Sequence, residues 1–496
     1  MQPAAIDHEL EALILSYHPI VTIETAEEER LGALLRNIAT QLRMILFDWS
    51  ATQGLVRVPG TAAFFGTVEP LGALQHVDGL SVESIVHLKD FAPFLETPSV
   101  RRSLRETAQR FAGTRSTLIL SGTSLDLPEE IRSMAVNLAW QLPTPAELRR
   151  VLDGVVRTLR SRARIRVELT GEDVEQLTRA LAGLTLAQAR QTLAYAAIED
   201  GCLDSRDIDG VLRRKAEIIS EGGVLEFRPA DHDAFEIGGF ARLKEWLDRA
   251  RVGFSPRARE LNLPPPRGIL LVGVQGCGKS LAAKFVASQW KMPLLKLDAG
   301  GLYDKYIGET EKNLRRAITV AESMSPAILW IDEIEKAFAM GGSAEADGGL
   351  SRRVLGTFLS WLQERRSGVF VVGAANDLSI VPPELLRKGR FDEIFFVDLP
   401  EPAEREEILR IHLRLRRQTP SQFDLGRLSA ATAGFSGAEI EQVVISSLYR
   451  SIQQSQNLST DLMLAEIAAT VPLSKSRRED IEALRTEARG RFVPVS

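Results

Sequence analysis

Cysteine and histidine are scarce in this 496-residue sequence, which has two cysteines, Cys202 and Cys277, and six scattered histidines. Two thiols cannot form a disulfide framework, and neither residue type shows the spacing of a metal-binding set. The composition therefore excludes a small secreted protein held together by disulfides. Cys277 could be an oxidation switch, but a small residue in a variable position is the simpler interpretation.

The sequence also lacks an excess of basic residues and any long apolar run. Lysine and arginine together number 61 against 66 aspartates and glutamates, a net charge of −5, so no overall field favours nucleic acid or an anionic membrane. The N-terminus is acidic where a secretory signal is basic, and no apolar stretch reaches membrane-spanning length. We therefore expect a soluble, cytoplasmic protein of two to four domains without a membrane partner.

The most informative segment is 273–280, Gly-Val-Gln-Gly-Cys-Gly-Lys-Ser, which lies between an apolar run at 268–272 and a helical stretch at 281–288. This is the Walker A pattern in its strand-to-helix context. Its glycines let backbone N–H groups surround phosphates, Lys279 adds a charge near the β- and γ-phosphates, and the Ser280 hydroxyl can ligate Mg²⁺. The expected ATP-binding residues here are Gly273, Gly276, Cys277, Gly278, Lys279, Ser280 and Leu281.

Short β-branched runs alternate with helical stretches from about residue 235. The pattern predicts an α/β fold, a parallel sheet wrapped by helices, with strands near 268–272, 293–298, 327–331, 369–374 and 394–397.

Two of these strands end in polar residues that we expect at one edge of the sheet. The third ends in Asp332 and Glu333, and the fourth in Asn376. Asp332 can hold Mg²⁺ through water, Glu333 can polarise the attacking water, and an amide at Asn376 could orient that water or the γ-phosphate. Beside the phosphate loop, a catalytic pair is favoured over a solvated strand end at Asp332 and Glu333. Taken alone, Asn376 would more simply be a turn residue.

The segment 382–392 adds two arginines, Arg387 and Arg390, and with it the C-terminal half resembles the AAA ATPases of the AAA+ superfamily, which are ring-forming P-loop machines. The resemblance covers residues 235 to about 475. It implies a P-loop NTPase sheet with a helical lid, a homo-oligomer such as a hexamer, and ATP with Mg²⁺ as ligands. The two arginines match fingers that reach the neighbouring subunit's ATP site, where such a charge is worth on the order of 10³ to 10⁵ in rate.

The same resemblance assigns three further segments. Residues 235–239 look like the adenine-contacting segment, with Ile237 and Gly238 at the base, and Asn376 matches the sensor asparagine. Residues 432–439 resemble the start of the lid helix, although Ala438 stands where wider relatives often carry arginine.

A pore loop is implied at Tyr306, Ile307 and Gly308, between the second strand and the next helix. An aromatic, an aliphatic and a glycine on a mobile loop would grip an extended polypeptide. The alternative is a tyrosine packed on its own helix. Residues 341–349 have no aromatic and are typical of a flexible linker.

The N-terminal half repeats the order of elements of the C-terminal half without the phosphate loop. Residues 142–152 parallel 399–409, and 177–184 parallel 428–435. The loop at 24–31 has no glycine and four glutamates that would repel a triphosphate. We therefore expect an inert, degenerate AAA-like module. A chance similarity between two α/β domains is the alternative.

The expected domains are a degenerate module at 1–220, a linker at 221–234, an ATPase α/β subdomain at 235–400 and a helical lid with tail at 401–496. This pair resembles a group of AAA ATPases found in cyanobacteria and chloroplast genomes, which places the chain in the bacterial cytosol or an equivalent such as the plastid stroma.

These assignments favour an ATP-driven remodeller of an unidentified protein client. The alternative is an ATP-dependent switch that presents its N-terminal module to a partner without threading. The arginines of 157–166 could hold nucleic acid, but a solvated helix face or a subunit contact fits the acidic chain better.

Overall fold

The computed structural model describes residues 6–161, 166–199, 201–229, 236–302, 309–338, 350–364, 368–387 and 389–496. The chain divides into two compact units. One comprises Met1–Val155 and Leu184–Gln191, and the other Val156–Gly183 and Thr192–Ser496. Within the described residues, no helix is both long and apolar enough to span a membrane.

The first unit is built on a six-stranded sheet. Its strands are β1 (Ile20–Glu24), β2 (Ile45–Ser50), β3 (Gly54–Val58), β4 (Ser84–Lys89), β5 (Thr117–Gly122) and β6 (Ala135–Asn137). Their order is β3-β2-β4-β5-β1-β6, and only β3, paired with β2, is antiparallel.

Helices cover both faces of this sheet because neighbouring residues of each strand point to opposite sides. Ile85 faces one apolar cluster and Val86 the other, and both are fully buried. The helices are α1 (Ile6–Leu15), α2 (Glu28–Leu42), α3 (Pro70–Asp78), α4 (Pro98–Phe111) and α5 (Glu129–Arg132), with a 3₁₀ turn at Ala92–Glu96.

A mainly helical segment follows. Its elements are α6 (Pro145–Ser161), β7 (Arg166–Val167), α7 (Gly171–Leu181), α8 (Leu186–Glu199), β8 (Cys202–Leu203) and α9 (Asp207–Glu221). Strands β7 and β8 form a separate parallel pair.

The second unit carries a seven-stranded sheet. Its strands are β9 (Leu225–Arg228), β10 (Gly268–Gly273), β11 (Leu294–Leu297), β12 (Ala327–Ile331), β13 (Val369–Ala375), β14 (Glu393–Val397) and β15 (Val493–Pro494). The order is β15-β14-β10-β13-β12-β11-β9, with β9 antiparallel to β11. The five strands predicted from the sequence all form, so the predicted α/β fold is confirmed.

Two groups of helices surround this sheet and follow it. Those between the strands are α10 (Ala241–Arg251), α11 (Pro256–Glu260), α12 (Lys279–Trp290), α13 (Ala299–Leu302), α14 (Glu309–Ser323), α15 (Ile334–Ala337) and α16 (Leu350–Glu364), with a 3₁₀ turn at Val252–Phe254. After β14 come α17 (Pro402–Leu415), α18 (Leu425–Ala431), α19 (Gly437–Gln453), α20 (Thr460–Ala469), α21 (Leu473–Ser476) and α22 (Arg478–Ala488), with a 3₁₀ turn at Pro420–Gln422. A separate apolar cluster that includes Leu409, Phe435 and Ile440 packs helices α17 to α20 together.

The two sheets share one strand order. Reading β6-β1-β5-β4-β2-β3 against β14-β10-β13-β12-β11-β9 gives the same sequence of parallel strands, each closed by an antiparallel edge strand. This is the topology that the duplication hypothesis predicts. The edge strands themselves differ in origin, since β3 follows β2 directly whereas β9 precedes the whole second sheet.

Strand β9 corrects the predicted linker at 221–234. Leu225 and Phe227 are buried while Glu226 and Arg228 alternate with them, so four residues carry the period-two pattern of an edge strand. Gly222, Gly223 and Pro229 on either side suggested a linker and obscured that pattern.

Candidate functional site

The loop at 273–278 joins β10 to α12 at the carboxyl edge of the second sheet, and its glycines adopt conformations that other residues rarely take. Gly273 has φ of 145° and Gly278, which caps α12, has φ of 94°. A Cβ atom on Gly273 would collide with the carbonyl oxygen of Val397. Glycine is therefore required at position 273, where a side chain would clash with the neighbouring strand.

Lys279 begins α12 directly after this loop and is only 6% exposed. Its Nζ donates to the carbonyl oxygens of Gly273, at 2.7 Å, and Val274, at 2.8 Å. Burial lowers the pKa of Lys279 to about 8. The Lys279 ammonium group is thus held beside the loop by two neutral carbonyl oxygens. Phosphate oxygens can replace these carbonyls as hydrogen-bond acceptors.

Ser280 and Asp332 contact each other across the site. The Ser280 hydroxyl donates to Oδ2 of Asp332 at 3.2 Å and lies 3.3 Å from Oδ1. A hydroxyl and a carboxylate side by side supply the hard oxygen ligands that Mg²⁺ prefers. The residues present therefore fit the predicted metal.

Glu333 lies between β12 and α15, two residues after the strand ends at Ile331, and has a left-handed conformation with φ of 48° and ψ of 53°. Both of its carboxylate oxygens lie 2.9 Å from Nζ of Lys336. The side chain is 40% exposed, so it remains accessible to water and the ion pair is weak.

Glu335 is a site residue that the sequence analysis missed. It is 2% exposed, and its Oε1 accepts the backbone N–H of Asn376 at 3.0 Å. In the described part of the chain its Oε2 has no hydrogen-bond partner, and burial raises its pKa. The sequence feature that could have identified Glu335 is that it is a third acidic residue, two positions after Glu333.

A cavity of about 1400 Å³ in the second unit brings most of the predicted residues together. Its apolar end includes Ile237, Phe240 and Ile408, which suit a flat, weakly polar ring. The predicted residues that line it are Ile237, Gly238, Gly276, Cys277, Gly278, Lys279, Ser280, Leu281, Asp332, Glu333 and Asn376. Cys277 is buried there, and burial raises its pKa to about 12.

The two predicted finger arginines do not line this cavity. Arg387 is exposed, and Nη1 of Arg390 donates to the carbonyl oxygen of Leu359 at 3.1 Å and to Gln363.

The predicted pore-loop residues Tyr306, Ile307 and Gly308 lie outside the described residues, as do Phe235 and the segments 162–165 and 341–349.

The corresponding loop of the first unit is filled by protein groups. The Glu27 carboxylate, 7% exposed, accepts hydrogen bonds from the backbone N–H of Leu186 at 2.8 Å, from Arg30 at 3.0 Å and from the indole N–H of Trp140 at 3.1 Å. The Glu27 carboxylate of the protein itself thus lies where a phosphate loop would present N–H groups.

A buried polar chain crosses the carboxyl ends of three strands of the first sheet. Nδ1 of His87 lies 3.1 Å from Oδ1 of Asp48, and Nε2 lies 2.7 Å from Oγ of Ser121. These residue types could make a hydrolytic triad. However, His87 is fully buried and Ser121 is 2% exposed, so a substrate cannot reach the hydroxyl. The chain is a structural network that satisfies buried polar groups.

Comparison with known proteins gives matches over three parts of the chain. Residues 269–399 match the ATPase family associated with various cellular activities (AAA). Residues 6–140 match the N-terminal domain of SpoVK-like AAA ATPases, and residues 146–222 match their second domain.

Full-length relatives match nearly the whole chain. The uncharacterized AAA domain-containing protein ycf46 of Trieres chinensis is 38% identical over 94% of this chain and 93% of its own length. That of Guillardia theta is 37% identical over 95% and 92%. A proteasome-activating nucleotidase of Aeropyrum pernix is 37% identical over 41% of this chain and 50% of its own length.

Proposed function

Because the chain belongs to the AAA ATPase family, with ycf46 proteins as full-length relatives, we propose that it hydrolyses ATP in a homo-oligomeric ring, a hexamer, and uses the energy to remodel or translocate a protein client. The observation that carries this proposal is the convergence of Lys279, Asp332 and Glu333 on one cavity at the carboxyl edge of the second sheet.

Each residue has a defined task in this reaction. Lys279 exchanges its loop carbonyls for phosphate oxygens and stabilises their charge. Mg²⁺ held by Ser280 and, through water, by Asp332 would neutralise charge on the phosphates. The Glu333 carboxylate orients the attacking water and accepts its proton, and the backbone of Asn376 is held by the Glu335 carboxylate.

The position of Arg387 supports the proposed ring of subunits. Arg387 lies outside the cavity of its own chain, so a catalytic role requires a second subunit. AAA family members generally form oligomers. The similarity to a proteasome-activating nucleotidase supports an action on proteins, with the pore segment at Tyr306 as the gripping element.

Two substitutions test the ATPase assignment. Lys279→Ala should abolish ATP binding, and Glu333→Gln should retain binding but lose hydrolysis and trap an assembled ring. Lys284→Ala is the matched control, since Lys284 lies on the same helix but does not line the cavity. Turnover in the Gln variant at the wild-type rate would contradict the role of Glu333.

A regulatory switch is the second candidate, and the occupied loop of the first unit favours it. With the Glu27 carboxylate held by protein N–H groups, the first unit would serve this function as a binding surface. Tyr306→Ala separates the two functions. A translocase would keep ATPase activity and lose client remodelling, whereas a switch would keep both ATP binding and signalling.

A further inference from the structure

The segment 493–496 returns from the last helix to the ATPase sheet and lines the cavity. Strand β15 pairs in parallel with β14, Val493 opposite Phe395. The Val495 N–H then donates to the carbonyl oxygen of Phe396 at 3.1 Å. Pro494, Val495 and Ser496 all contribute to the cavity wall.

Val495 also closes the open end of α10. Its carbonyl oxygen accepts the N–H groups of Arg242 at 3.0 Å and Leu243 at 3.3 Å. These are first-turn groups, which have no partner within their own helix. The N-cap residue Phe240 provides no side-chain hydrogen bond. The Val495 carbonyl therefore caps α10 in place of an N-cap side chain.

The helix capped in this way directly follows the residues that line the apolar end of the cavity. Ile237 and Phe240 lie against Gly278 of the phosphate loop: a Cβ atom on Gly278 would be 3.5 Å from the Phe240 ring and 3.8 Å from Ile237. Fixing the first turn of α10 thus fixes this apolar wall.

Ser496, the residue after Val495, connects this segment to helix α17. The Ser496 hydroxyl donates to the Glu404 carboxylate on α17. On the same helix, Glu407 accepts the backbone N–H of Gly239 at 2.8 Å. The segment 493–496 and residue Gly239 are therefore held by neighbouring carboxylates of one lid helix.

We propose that residues 493–496 position the base-binding wall of the nucleotide site and so contribute to affinity for the adenine base rather than for the phosphates. The inference rests on the proposed ATPase function and deepens it. Its hydrogen bonds reach α10, β14 and α17, and among the described residues none reaches the phosphate loop at 273–278.

Equilibrium binding of ATP and of inorganic tripolyphosphate to the full chain and its variants tests the proposal. A chain that ends at Phe492 loses all four hydrogen bonds described above and should bind ATP at least roughly tenfold more weakly. The variant Val495→Pro loses only the N–H donor to Phe396 and should bind ATP roughly fivefold more weakly. Both should bind tripolyphosphate as the wild type does. Glu479→Ala, on the preceding helix α22 and outside the cavity lining, is the control and should bind ATP within about twofold of wild type.

In steady-state kinetics the two disrupted variants should show a raised KM with an unchanged kcat. Unchanged ATP affinity in the shortened chain would overturn the proposal. A parallel loss of tripolyphosphate affinity would also overturn it, since it would indicate damage to the phosphate loop. A wild-type chain that binds no ATP would instead refute the proposed function.

Discussion

ATP binding should weaken as pH rises from 7 to 9 because Lys279 must be protonated to hold the phosphates. In the free protein burial lowers the pKa of Lys279 to about 8, so the side chain is mostly charged at pH 7 and mostly neutral at pH 9. A bound triphosphate favours the charged form and returns the pKa to its ordinary value of 10.5 or above. The complex then holds more protons than the free protein, and affinity falls with rising pH.

The size of the effect follows from these two pKa values. Between pH 7 and pH 9 the dissociation constant should rise about tenfold, with an uptake of about 0.1 proton per ATP at pH 7 and about 0.9 at pH 9. Two other titratable groups of the described cavity lining, Cys277 and His412, do not contribute to this change. Burial raises the pKa of Cys277 to about 12 and lowers that of His412 below its ordinary 6.5, so neither titrates in this window.

Isothermal titration calorimetry with saturating Mg²⁺, in buffers of different ionisation enthalpy, measures both the affinity and the proton uptake. Lys279→Arg is the control, because a guanidinium stays protonated throughout and its affinity should not vary over this pH range. The slope is compared rather than the absolute affinity. A wild-type dissociation constant that is constant from pH 7 to 9, without proton uptake, would refute the assignment of a buried, titrating Lys279.

Three further predictions concern the remaining site residues. Arg387→Ala should keep ATP binding and lose turnover by on the order of 10³-fold, and mixing it with Lys279→Ala subunits should restore part of the activity; no recovery would argue against catalysis between subunits. Glu335→Leu should lower kcat without changing KM, whereas Glu335→Gln, which keeps an acceptor for the Asn376 N–H, should retain most of the activity; equal losses would show that this acceptor is not what matters. Cys277 should resist iodoacetamide at pH 8 in the folded protein, because only about 10⁻⁴ of the thiol is ionised, and react in urea; mass spectrometry that finds equal labelling in both states would contradict its burial.

The central strands of the second sheet could be predicted because parallel strands covered on both faces are continuous apolar runs. The runs at 268–272 and 327–331 are of this kind, and β10 and β12 form there. The position of Asp332 and Asn376 at one edge followed from the same rule, since parallel strands bring their carboxyl ends together. Lys279 was identifiable from its motif alone.

The missed features depend on pairing between distant parts of the chain. Strand β15 has two residues and exists through its contact with β14, about a hundred positions earlier in the sequence. The cap on α10 is a main-chain carbonyl, so no residue type signals it. Glu335 looks like an ordinary helix residue until the fold brings Asn376 beside it.

Strand β9 determines where the chain can be cut. A fragment that begins at residue 235 would leave β11 with a bare row of N–H and C=O groups along Leu294–Leu297, which is a template for association with other chains. Because α9 leads into β9 through a short turn at 222–224, a fragment intended to stay monodisperse should start at or before Asp207. Insolubility of a shorter ATPase fragment would then reflect an uncovered sheet margin rather than a failure of its nucleotide site.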